Sequence, residues 1–258
     1  MSTPRTGAPR RDDVPPETIA RLNAGEIETA NLMEGLVIDF GTLLRAAVPG
    51  LPDEAYDLVD SSKARGITRR METVGAILFE HLGLDRLREI AGHRSDTVRG
   101  WACYVIGHAP KLKLKARLEL VRPLADDPHF GVREWAWLPL RPHFAKNVGH
   151  AIDELKSWVK EPSPYLRRFA VESTRPRGVW SCHLEQLKNN PALGQPLLEP
   201  LKAETDPYVQ DSVGNWLNDA CKSKPGWVRE LCDRWLAEST RPATQRICQR
   251  ALRSQKVR

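Results

Sequence analysis

Asp96-Thr-Val-Arg-Gly-Trp-Ala, Asp127-Pro-His-Phe-Gly-Val-Arg-Glu-Trp-Ala, Glu161-Pro-Ser-Pro-Tyr-Leu-Arg-Arg-Phe-Ala and Asp206-Pro-Tyr-Val-Gln-Asp-Ser-Val open alike. Aligned on Val98, Val132, Leu166 and Val209, they recur at spacings of 34, 34 and 43 residues. That period marks a helical-repeat solenoid, in which each unit is too small to bury its apolar face alone and stacks on the next. The openings have a local reason: an acid satisfies free amides at a helix start, and proline is tolerated in the first turn because its missing donor had no partner there. After each anchor, apolar residues follow at helical spacing, as in Trp101-Ala102, Trp135-Ala136, Phe169-Ala170 and Trp216-Leu217. The expected fold class is all-α, a HEAT-like helical-repeat solenoid.

Outward from these units, the same reading expects helices of 10 to 16 residues from position 67 onward, among them 69–82, 96–108, 112–125, 129–144, 164–174, 193–204, 208–222 and 242–253. No stretch alternates convincingly as a strand. Residues 1–16 are rich in Pro, Arg and Asp and poor in apolar side chains, which predicts a disordered arm. Residues 17–258 are expected to form a single HEAT-like repeat domain.

Composition narrows the function classes. The 258 residues carry a net charge of +6, with 27 Arg against 12 Lys. Arginine forks bind phosphate bidentately, so the balance fits a nucleic-acid partner, although many basic proteins bind nothing polyanionic. No apolar run is long enough for a membrane span, and the N-terminus lacks a signal core. Five cysteines stand singly, with no Cys-x-x-Cys, which predicts a reduced, cytoplasmic chain without structural zinc. There is no P-loop, dinucleotide fingerprint, His-Glu-x-x-His or Gly-x-Ser-x-Gly. No cofactor and no metal are expected, and a monomer is.

Three acids lie on one indexed face. Glu134 is two positions beyond its anchor, Glu172 six and Asp219 ten, and steps of four stay near one helical stripe. A solvated polar face is the dull alternative for any one of them; three climbing across successive units favour a shared cleft. After Glu172 comes Ser173-Thr-Arg-Pro-Arg-Gly-Val-Trp180, where a helix stops between two arginines and an aromatic follows. Arg175, Arg177 and Arg168 would hold phosphates, and Trp180 would stack on a base or cation; an ordinary inter-repeat loop is the plainer reading. Two further basic clusters, with Lys111 and Lys113 in one and Arg69 and Arg70 in the other, could track a phosphate backbone.

Arg-Glu-Trp-Ala-Trp at 133–137 with Leu140-Arg-Pro, then Arg168-Phe-Ala-Val-Glu-Ser-Thr-Arg-Pro-Arg-Gly-Val-Trp180, then Ser212-Val-Gly-Asn-Trp-Leu-Asn-Asp219, resemble the AlkC branch of the AlkD/AlkC-like HEAT-repeat DNA alkylation repair glycosylases. Leu32-Met-Glu-Gly-Leu-Val-Ile-Asp-Phe is similar to the start of that branch. The resemblance runs over residues 20–255 approximately. It implies a concave face that holds double-stranded DNA and removal of cationic alkylated bases, of the 3-methyladenine and 3-methylcytosine class, without a deep base-flipping pocket. Carried over by motif, the catalytic acids would be Glu134, Glu172 and Asp219, and the functional tryptophan Trp180. Many members continue into a C-terminal immunoglobulin-like domain, and this sequence resembles a short form without it. The reading is therefore a monofunctional DNA glycosylase. Its rivals are a non-catalytic HEAT-repeat scaffold and a self-resistance glycosylase for bulky alkyl adducts.

Overall fold

The computed structural model describes residues 5–178 and 180–255. Among them the chain is helical and contains no strand. The four anchors occupy equivalent places: Val98, Val132, Leu166 and Val209 are each the third residue of their helices, Asp96–His108, Phe130–Trp137, Pro164–Glu172 and Pro207–Cys221. All four are buried. Each such side chain contributes about 2 kcal/mol through the apolar area it removes from water, so the repeat seen in sequence is a repeat of core contacts.

The chain, expected to form one body from residue 17 onward, divides into two compact units. The first comprises residues Met1–Lys113 and Glu119–Pro139. Within it, helix Ile67–Leu82 packs on Asp96–His108, which packs in turn on Phe130–Trp137. Backbones approach closely at Gly75, where an added Cβ would come within 2.2 Å of the Tyr104 Cβ. The second unit comprises residues Leu114–Leu118 and Leu140–Arg258, and repeats the pattern with Pro164–Glu172, Pro207–Cys221 and Pro242–Ala251. Trp216 and Trp235 are fully buried in its core.

Three expectations change. Residues 5–16, read as a disordered arm, are packed: Arg5 pairs with the buried Glu34, Asn31 Nδ2 donates to Ala8 O at 2.8 Å, and Val14 is buried. The segment is poor in apolar residues, and its contacts include an ion pair, a hydrogen bond and a buried valine side chain; residues 1–4 lie outside the described residues. The helix expected over 129–144 is broken into Phe130–Trp137, a 3-10 turn at Leu138–Leu140, and a new helix Arg141–Lys146. Pro139 and Pro142 cannot donate back to the preceding turn, so the chain restarts with Pro142 in a first turn where no donor is needed. Likewise 193–204 is a series of short turns, Pro191–Gly194, Gln195–Leu198 and Glu199–Leu201, punctuated by Pro196 and Pro200.

Candidate active site

Two of the three expected acids are brought together in the second unit. Helix Pro164–Glu172 begins where Ser163 accepts from the Tyr165 amide, and Glu172 is its last residue. Helix Pro207–Cys221 begins where Asp206 accepts from the Tyr208 amide at 2.8 Å, and carries Asp219 in its last turn. Packing of these helices sets Glu172 and Asp219 at either end of one guanidinium. Arg175 Nη1 donates to Glu172 Oε1 at 2.7 Å, while its Nε and Nη2 lie 2.9 and 2.8 Å from Asp219 Oδ2.

Each carboxylate has further donors. Ser212 Oγ donates to Glu172 Oε2 at 2.7 Å, and Lys222 Nζ to Asp219 Oδ1 at 3.2 Å. Arg168 Nη2 lies 3.9 Å from Glu172 Oε2, and its guanidinium stacks over the Tyr208 ring at 4.3 Å. Both acids are buried, at 5% and 3% exposure. Burial alone would raise the Glu172 pKa; the charges of Arg168 and Arg175 and the hydrogen bonds from Arg175 and Ser212 outweigh it and hold the carboxyl below its ordinary value. At neutral pH the site therefore holds Glu172 as a preformed anion. Placement is against the helix field, because the last turn of a helix is its negative end; clustered cations compensate for that.

The loop after Glu172 carries the aromatic group. Trp180 is 61% exposed and, with φ of 60°, stands in the left-handed region. A tryptophan held there costs on the order of 1 kcal/mol, and such residues persist where the surroundings over-determine them.

Other expected site residues fall elsewhere or do other work. Glu134, in the first unit, is half-buried and accepts from the Trp137 indole N–H at 3.3 Å. Lys111 and Lys113 are exposed, and so is Arg69, which pairs with Glu72 at 2.6 Å. Arg70 is a correction: it is buried, lies 4.0 Å over the Phe40 ring and donates to Ile38 O at 2.7 Å, so it braces the core rather than facing a phosphate. Arg175 bridges Glu172 and Asp219, and Arg168 lies beside Glu172 and over the Tyr208 ring. Arg177 is half-buried, reaching Asp219 O at 3.3 Å and Ser223 Oγ at 2.8 Å. Sequence reasoning missed Ser212 and Lys222. Ser212 lies inside a quoted motif, and Lys222 is one turn beyond Asp219, so spacing alone would have flagged both.

Among the described residues no helix is long and apolar enough to cross a membrane. Residues 132–246 match the family described as DNA alkylation repair enzyme. Over 136 residues the chain is 32% identical to the uncharacterized protein YhaZ of Bacillus subtilis (strain 168), covering 53% of this chain and 37% of that protein. Among solved structures, it is similar to the alkylpurine DNA glycosylase AlkC of Pseudomonas fluorescens bound to DNA containing an abasic site analog, with a TM-score of 0.70 and 22% identity. That match covers 97% of this chain but 66% of AlkC. AlkD2 from Streptococcus mutans matches with a TM-score of 0.56 and 21% identity, over 83% of this chain and 96% of AlkD2. The chain thus spans well under half of its curated relative and about two thirds of AlkC. Residues 132–246 thus match the DNA alkylation repair enzyme family, and the helical fold of the chain is the one shared with AlkC and AlkD2.

Proposed function

We propose that the chain is a DNA glycosylase that hydrolyses the N-glycosidic bond of cationic N-alkylated bases, of the 3-methyladenine and 3-methylcytosine class, in duplex DNA. The observation that carries this reading is the Glu172–Arg175–Asp219 cluster: two buried carboxylates held by one cation in a protein of net charge +6. A basic surface suits phosphates, whereas buried acids suit a cation that forms between them.

The chemistry fits such a cluster. A base alkylated on a ring nitrogen carries positive charge and leaves neutral, so no strong general acid is needed. As the C1′–N bond breaks, its electron pair goes to the base and positive charge collects on the sugar. One carboxylate faces that charge. The other orients a water whose oxygen bonds to C1′ and whose proton passes to the carboxylate. Arg175 keeps both acids in place between turnovers. Trp180, exposed on its loop, offers a ring to the cationic base or to the opened duplex.

Incubation with methylated duplex DNA, followed by identification of released bases, tests the reading. Release of 3-methyladenine or 3-methylcytosine, no covalent protein–DNA adduct on borohydride treatment, and DNA affinity that falls steeply with salt are expected. Binding without any base release would instead establish a non-catalytic scaffold, and release of bulky adducts alone would make it a self-resistance enzyme.

A further inference from the structure

The break at Pro139 and Pro142 starts a helix at Arg141, and that residue is fully buried. Its guanidinium points at backbone. Nη1 donates to Ser173 O at 2.9 Å, Nη2 to Arg175 O at 2.9 Å and to Cys182 O at 2.7 Å, and Nε to Cys182 O at 3.1 Å. Ser173 caps the C-terminus of helix Pro164–Glu172, where carbonyls have lost their helical donors and the field is negative. Cys182 lies on the returning arm of the loop, nine residues later in the chain. One side chain therefore joins the start of the loop to its end.

Two more contacts close the same loop. Leu184 N donates to Pro176 O at 3.0 Å. Gly178 is pressed against the returning chain: a Cβ there would stand 2.4 Å from Ser181 Oγ, 2.5 Å from Ser181 O and 2.7 Å from Cys182 O, the carbonyl that Arg141 also holds. Between these clamps lie Arg175, whose side chain bridges Glu172 and Asp219, and Trp180 in its left-handed conformation. A charge-assisted donor to a carbonyl is roughly twice as strong as a neutral one, and a planar fork fixes direction as well as distance.

We propose that Arg141 is a positioning residue: by tying the carbonyls of Ser173, Arg175 and Cys182 together, it sets the loop geometry that holds Arg175 between the two acids and presents Trp180. The inference rests on the glycosylase reading but acts through backbone, and Arg141 does not touch the reacting atoms. Lysine at this position keeps the charge but presents three donors from one atom, and cannot span two chain segments as the fork does.

The test uses the full chain with Arg141→Lys, and with Gly178→Ala as a second variant that pushes on the same loop at Ser181 and Cys182. Without DNA, hydrogen exchange reports the clamp directly. In Arg141→Lys the amides of residues 173–184, Leu184 above all, are expected to exchange at least tenfold faster, with those of helix Pro207–Cys221 unchanged. With methylated duplex, the single-turnover excision rate at saturating protein is expected to fall at least tenfold in both variants, while affinity for intact duplex changes less than threefold. In an Asp219→Asn background the same Arg141→Lys change should cost less than threefold, because its effect passes through the acid cluster. Unchanged exchange in 173–184 overturns the clamp. A wild-type excision rate in both variants, or full additivity with Asp219→Asn, overturns the positioning role. If Arg141→Lys unfolds globally, Gly178→Ala decides by the same readings. If wild-type protein excises no base, the glycosylase reading fails, whereas the exchange experiment still judges the clamp.

Discussion

Buried acids occur in both units, and they stand at opposite ends of their helices. In the first unit Asp96 stands at the start of helix Asp96–His108, accepting from Thr29 N at 2.8 Å and Thr29 Oγ at 2.9 Å, with His129 Nδ1 3.5 Å away. Nearby, Asp127 accepts from Arg99 Nε at 2.8 Å and from the His129 amide at 2.7 Å. In the second unit Glu172 and Asp219 stand in the last turns of their helices. Acids at a helix start sit in a favourable field, and these two tie their helices to Thr29, Arg99 and the His129 amide, so they serve the fold. Acids at a helix end oppose that field and must be surrounded by cations. Position along the helix therefore separates a structural carboxylate from a candidate functional one, although burial and residue type are the same.

Removing the bridge should break the second arrangement outright. Arg175→Met leaves Glu172 and Asp219 buried without their shared cation, and is expected to cost about 3–5 kcal/mol in urea unfolding at neutral pH. A loss below about 1 kcal/mol would mean the acids are supported by Ser212, Lys222 and Arg168 alone.

Neutralising the acids comes next. Glu172→Gln and Asp219→Asn should each slow single-turnover excision by about 10²-fold or more, near 2.7 kcal/mol of transition-state stabilisation. Affinity for intact duplex should hold or tighten, since one negative charge is removed from a protein that binds a polyanion. Near wild-type rates in folded variants would move the chemistry elsewhere, Glu134 being the next acid to test.

The two regions should also differ in the sign of their pH response. Glu172 is held below its ordinary value, so its contribution to stability is present above about pH 4.5 and is lost as pH falls through the folded value. Asp96 is held above its ordinary value, burial outweighing its donors, so ionising it opposes folding as pH rises past 3.8 and through the raised folded value. At neutral pH Glu172→Gln should destabilise by about 1–2 kcal/mol, whereas Asp96→Asn should be neutral or stabilising within about 1 kcal/mol. Equal losses for both, in unfolding curves taken from acid to neutral pH, would collapse the distinction.

A cap and a strained residue give the smallest effects. Asp206→Ala removes the acceptor for the Tyr208 amide and should cost about 1 kcal/mol. Trp180→Gly frees a left-handed residue and should leave stability unchanged or raise it by up to about 1 kcal/mol, while lowering excision. A clear loss of stability would show that the exposed ring packs on the fold rather than waiting for a ligand.

Much of this was legible from the chain. A helix start is a local event, decided by an acid, a serine or a proline within three or four residues, so the four anchors could be aligned before any contact was known. Steps of four along a helix are equally local, and they put Glu172 and Asp219 on one face. The sequence by itself thus determined the repeat, the all-helical class and the register of two acids. Tertiary structure decided what each arginine does. A guanidinium in a sequence looks the same whether it meets a phosphate, a ring, a carboxylate or a carbonyl; Arg70 lies on Phe40, Arg175 between two acids and Arg141 on the loop that carries them. Phe40, Asp219 and the Ser173 carbonyl are 30, 44 and 32 residues away from these arginines, and only packing brings them into contact.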